Sequence, residues 1–263
     1  MSSESLTLND ILKAVEKKFV HYEKKLGIRT EKKAAENLMF HTNAHMSMIL
    51  LPLYFGLIAY LFRGNAINVD LGQFSLRLTT FQENNLFTYA LFFKIGILVI
   101  LTYYVTYHWT EIKRDNTYGY WLASGVDRMK FFIYVILGLL SNLIFSMIFG
   151  LIIVNSYNSQ IFTLGEFVIV IALIISNMIF LTGLAFFVSE SINHPEASGF
   201  IFALISAISI SNTNYDSISN KLFLSELHYN SADTMLILIF SNIIGITLIL
   251  LSYFLHRRKD INL

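Results

Sequence analysis

No cysteine occurs in the 263 residues, which excludes disulfides, thiolate-ligated zinc or iron–sulfur centres and a cysteine nucleophile. Two prolines and thirteen scattered glycines are too few for a Pro/Gly-rich linker, a collagenous tract or an evident boundary to a second domain. Charge is scarce as well: 14% of residues are Asp, Glu, Lys or Arg, against about 25% in an average soluble domain. What fills the chain instead is apolar, with 55% hydrophobic residues, 23 phenylalanines and a mean hydropathy of +0.57. A water-soluble core stops growing near ~250–300 residues and still needs a charged exterior, so composition places the chain in a bilayer.

A helix rises ~1.5 Å per residue through a hydrocarbon layer ~30 Å thick, so roughly 17–25 uncharged, mostly apolar residues mark a crossing. The runs 46–62, 131–154, 167–188 and 235–255 contain no Asp, Glu, Lys or Arg. A fifth, 86–107, is equally apolar but carries Lys94. A sixth, 197–212, is short, and its second half from Ser206 to Asn212 is rich in serine. Parity decides whether it crosses. With six spans and both ends inside, residues 1–45, the loop 108–130 and the tail hold fifteen of the nineteen Lys and Arg. Only Arg63, Arg77 and Lys221 fall outside, the asymmetry of the positive-inside rule. The expectation is an all-α membrane protein with six transmembrane helices and cytoplasmic N and C termini. It is an integral, multi-pass protein, most simply of a prokaryotic plasma membrane. Residues 1–45 form a cytoplasmic helical appendage and 46–263 the six-span domain. Because residues 1–45 are charged and polar, the first span is expected to serve as an uncleaved anchor.

The appendage has a helical period. Leu8, Ile11, Leu12, Val15, Phe19, Tyr22 and Leu26 form one apolar stripe, while Lys13, Glu16, Lys17, Lys18, Glu23, Lys24 and Lys25 populate the other faces. Such a basic amphipathic helix either lies among lipid headgroups or packs on a partner. Beyond it, His41 and His45 stand i, i+4 with Met39, Met46 and Met48 near. These are donor types suited to Cu(I) and equally ordinary for an interfacial helix, and no metal is expected. Pro52 removes one backbone donor and can kink the first span. Tyr103, Tyr104, Tyr107 and Trp109 crowd the inner end of the second span and read as an interfacial aromatic belt.

The loop after span two is the most informative stretch. Asp115 or Asn116 can cap a short helix in which Tyr118, Trp121 and Leu122 share a face, and Gly125 can end it. An aromatic face of that kind must rest on the interface, on its own bundle or on a cytosolic partner.

Here the chain resembles the membrane subunits of ABC transporters of the ABC-2 type. Their corresponding loop typically reads Glu-x-Gly-Thr-Leu-x-x-Leu-Leu-x-x-Pro-Val-Ser-Arg. This chain offers Thr117, Leu122, Val126 and Arg128 in register, with Arg114, Asn116 and Gly125 where Glu, Gly and Pro are usual. Leu224-Ser-Glu-Leu-His-Tyr before the last span and Phe254-Leu-His-Arg-Arg-Lys-Asp-Ile at the end are also similar to family segments. The similarity covers about 46–263 and is loosest over 63–85. The long N-terminal helix pair departs from the single elbow helix common in the family.

The resemblance implies a coupling helix over 115–125, seated in a separately encoded ATPase and served by Glu111, Thr117, Tyr118, Trp121, Leu122 and Arg128. It implies a pair of such permeases, as homodimer or heterodimer, working as an exporter. It also implies short re-entrant outer helices between spans five and six, with Lys221, Leu222, Phe223 and Leu227 closing the outer face. No Gly-x-x-x-x-Gly-Lys-Ser/Thr occurs, so ATP and magnesium belong on the partner, and no cofactor is expected in this chain. Lipid is the remaining partner, and no nucleic-acid partner is expected.

Lys94 inside span two costs roughly 2.5–3.5 kcal/mol at a helix centre. It snorkels, finds an internal partner, or serves substrate or gating. Glu190, His194 and Glu196 on the inner loop between spans four and five read as solvated residues without an oriented nucleophile. Ser206, Ser209, Ser211, Asn212 and Thr213 are interhelical polar glue or path lining. Two other classes stay in view: a non-transporting scaffold or accessory subunit of a larger membrane complex, and an intramembrane enzyme. The enzyme would need a Gly-x-Ser-x-Gly elbow, His-Glu-x-x-His or paired membrane glutamates, which the sequence lacks.

Overall fold

The structure, a computed structural model, describes residues 35, 46–54, 67–71, 74–78, 85–114, 119, 126–157, 163–211, 217–228 and 231–258. Most of these are helical. Helix α1 covers 46–54. Strands β1 (Ile67–Leu71) and β2 (Phe74–Leu78) pair antiparallel, from Ile67 opposite Leu78 to Leu71 opposite Phe74, so the segment expected as a plain outer loop contains a hairpin.

Helix α2 (Asn85–Ile100) passes into a π-helix (Leu101–Trp109) and then into α3 (Thr110–Arg114). Ile100 and Thr110 at the joints keep right-handed helical dihedrals, φ/ψ of −63°/−47° and −68°/−37°, so the run is continuous. The Thr102 hydroxyl donates to Leu98 O at 2.7 Å and that of Thr106 to Thr102 O at 2.6 Å. Each hydroxyl claims the carbonyl four residues back that an α-helical N–H would use, and there the helix widens.

Among the described residues, three helices are long and apolar enough to cross a membrane: the 128–152 part of α4 (Arg128–Tyr157), α5 (Leu164–Ser191) and α8 (Thr234–Arg258). Between the last two lie α6 (Pro195–Ser211), a shorter apolar helix, then α7 (Ile218–Phe223) and a single 3-10 turn, Ser225–His228. The helices overrun the uncharged runs, because backbone bonding continues into the polar flanks wherever a cap is available. Asp127 Oδ1 accepts from the N–H groups of Met129 (3.0 Å) and Lys130 (2.9 Å), starting α4. Thr163 and Glu166 close a capping box at the start of α5.

The contacts fix helix directions. From Lys94–Asn177 to Trp109–Glu190, α2–α3 runs parallel to α5. From Ser176–Asn242 to Glu190–His256, α5 runs parallel to α8. Helix α6 runs the other way: Ser198 near its start donates to Thr106 O, and α6 also reaches back to α2 and α7. The α5–α8 crossing is close because both helices present glycine there. A Cβ on Gly183 would lie 2.6 Å from Gly245 O, and one on Gly245 2.8 Å from Phe180 Cα. In a bilayer, where apolar burial between helices gains little over lipid, small residues of this kind set the contact.

Candidate functional site

Two polar clusters lie at opposite ends of the α2–α5 contact. The inner one is centred on Glu190, which is 1% exposed. Its Oε1 accepts from Trp109 Nε1 at 2.8 Å and Lys113 Nζ at 2.9 Å, and lies 3.3 Å from His256 Nδ1. Lys113 also donates to Ser189 O at 3.4 Å and stands 5.5 Å over the Trp109 ring, while the Thr110 and Ser189 hydroxyls meet at 2.9 Å. Phe131, Phe132 and Phe186 pack around the Trp109 indole, and the His256 imidazole stacks on Phe132 at 4.6 Å. The Arg128 guanidinium donates to the His256 carbonyl, at the C-terminal end of α8. A cation there complements the helix dipole.

This cluster corrects two expectations. Glu190 is not a solvated loop residue: α5 continues through Ser191 and turns it inward. His194 and Glu196 do stay exposed, pairing with each other at 2.8 Å. Trp109 is not part of an interfacial belt either, being fully buried, whereas Tyr103 is 55% exposed.

The second cluster surrounds Lys94, which is fully buried, so its stem does not snorkel. Its ammonium donates to Asn177 Oδ1, and Asn177 Nδ2 donates to Leu222 O at 2.5 Å and Phe223 O at 3.3 Å. Ser225 Oγ donates to Leu173 O at 3.3 Å, and the Phe223 ring meets Phe180 edge-on at 5.5 Å. Lys221 pairs with Asp233 at 2.5 Å, and that ammonium, bonded to the Asp233 carboxylate, holds it below the usual carboxylate range.

The structure thus gathers Lys94, Leu222 and Phe223, while Lys221 sits beside them on α7 in its own ion pair. Leu227 has its backbone in the 3-10 turn. Arg128 joins the inner cluster, and Glu111 stays half-exposed, 3.9 Å from His108. Thr117, Tyr118, Trp121 and Leu122, with His41 and His45, lie outside the described residues. Among the described residues no three carboxylates or imidazoles gather as a metal set. Asn177 and Glu190 are the residues sequence reasoning did not single out for these roles. The available signals were complementarity of depth, one amide in the apolar run 167–188 opposite one lysine in the run 86–107, and one acid among the bases at the helix ends.

Comparison with protein-family models, with curated proteins and with solved structures matched nothing to the chain.

Proposed function

We propose that this chain is the membrane-spanning subunit of an ABC transporter of the ABC-2 type, an exporter half driven by a separately encoded ATPase that docks on the 111–128 segment. The observation that carries the reading is how the ends of that segment are tied down. Lys113, near its start, is held by Glu190; Arg128, at its end, is held by the His256 carbonyl; and Glu190 and His256 themselves meet at 3.3 Å. A loop needing only to connect two helices has no use for two attachments to two further helices, whereas a loop that receives a push does. Val126-Asp127-Arg128 stands where the family has Val-Ser-Arg, and Asp127 caps α4 in the manner open to Ser.

The parallel run of α2–α3, α5 and α8 supports six crossings, since α4 and α6 must each return the chain. With the basic tail inside, the inner cluster lies on the cytoplasmic side and segment 217–228 on the outer side. Two such subunits and two ATPases form the working unit.

The test is Trp121→Asp in the full chain, expressed with the ATPase of an adjacent reading frame. Wild type should retain that ATPase through affinity purification, and the variant should lose it while inserting at equal yield. Equal recovery of the ATPase with both proteins, or none with wild type, refutes the coupling role and leaves the scaffold reading.

A further inference from the structure

We infer that Asn177 is the positioning residue of an outer latch: its side-chain amide clasps buried Lys94 to the main chain of segment 218–228, and release of that clasp uncovers the outer face. The inference rests on the orientation proposed above. Helix α7 has six residues and is followed by one 3-10 turn, far below the length at which a helix holds itself together in isolation. Something else must keep it in place.

One face of α5 does so. Leu173, Asn177 and Phe180 recur at helical spacing, and each contacts the segment: Leu173 O accepts from Ser225, Asn177 donates to Leu222 O and Phe223 O, and Phe180 meets the Phe223 ring. The two carbonyls Asn177 serves are the last of α7, the groups a helix end leaves without internal partners. On its other side the same amide accepts from Lys94. A carboxylate could keep the lysine but not serve the carbonyls, and an aliphatic side chain could do neither. Within the segment, Phe223, Leu224 and Ser225 are buried. The C-terminal end is fastened separately, by the Thr234 hydroxyl on His228 O at 2.6 Å, while Lys221, next to the clasped carbonyls, pairs with Asp233 at 2.5 Å. The segment is therefore clasped near its middle and anchored at its C-terminal end.

Because the chain has no cysteine, single introduced thiols report on it cleanly. Ser225→Cys reports the clasp, Ser252→Cys, buried in α8, reports global loosening, and Ser219→Cys reports sidedness. On the purified full chain in detergent, Asn177→Leu and Asn177→Asp should each speed maleimide labelling at position 225 about ten-fold, leaving position 252 protected. Asn177→Asp keeps an acceptor for Lys94 and so decides the matter where Asn177→Leu fails to fold. Labelling at 225 that stays at the wild-type rate in the folded variants, or that rises together with 252, overturns the latch. In intact cells, an impermeant maleimide should reach the Ser219→Cys thiol. Reaction only after lysis instead overturns the orientation, and with it the outer placement, while the purified-protein result still shows whether the clasp exists.

Discussion

Glu190 is the residue on which the inner cluster turns. A carboxylate taken out of water is retained only where donors compensate it, and here an indole N–H, an ammonium and an imidazole converge on one oxygen. Removing the acid leaves Lys113, with only 15% of its side chain exposed, over the Trp109 ring without its carboxylate. Glu190→Leu should therefore destabilise the protein by about 3 kcal/mol, the cost of breaking rather than replacing a buried pair. Glu190→Leu combined with Lys113→Met should recover more than half of that loss. Thermal unfolding in detergent checks both, and a Glu190→Leu variant melting at the wild-type temperature would show that the acid is not neutralising Lys113. The sequence displayed every member of this cluster but not their meeting, because pairs such as Trp109 and Glu190 lie far apart along the chain and only the helix packing joins them.

At the scale of elements, the α5–α8 crossing depends on the absence of two side chains. A Cβ on Gly183 would meet Gly245 O at 2.6 Å and Leu248 Cβ at 3.2 Å, whereas one on Gly165, also in α5, would meet nothing within 4 Å. Gly183→Ala should cost about 1–3 kcal/mol by forcing the helices apart, and Gly165→Ala should stay within about 0.5 kcal/mol of wild type. The difference between their melting temperatures is the measurement, and equal values would mean that the crossing is looser than these distances. The long helices were legible from uncharged runs alone, yet their ends were not: α4 and α5 begin at Asp127 and Thr163 caps, polar residues that a search for apolar runs discards. Trp109 was misplaced for a different reason. The belt reading rested on the aromatics crowding one end of a span, and position along the chain does not say which ring turns inward: Trp109 packs among Phe131, Phe132 and Phe186, while Tyr103 stays exposed.

For the whole molecule, the question is whether α6 crosses. Its 17 residues span about 25 Å at ~1.5 Å per residue, short of the hydrocarbon layer, and α7 with its 3-10 turn follows. Alkaline phosphatase, active only outside the cytoplasm, should be inactive when fused after Asn193 and active when fused after Asn212. Equal activity of the two fusions would mean that α6 turns back and that the C-terminal Arg257 and Arg258 lie opposite the lysine-rich N-terminal region. The expectation of six crossings came from the Lys and Arg distribution, a long-range electrostatic bias written along the chain, and the two fusions test it. The hairpin at 67–78 was not, because a short pair of strands leaves only a brief alternating pattern. One consequence of the inner attachments concerns mechanics. Since Lys113 and Arg128 are both tethered to the touching ends of α5 and α8, displacement of the intervening segment cannot be absorbed by the helix on either side of it alone. Three co-directional helices are bound together at that end, like the strands of one cable.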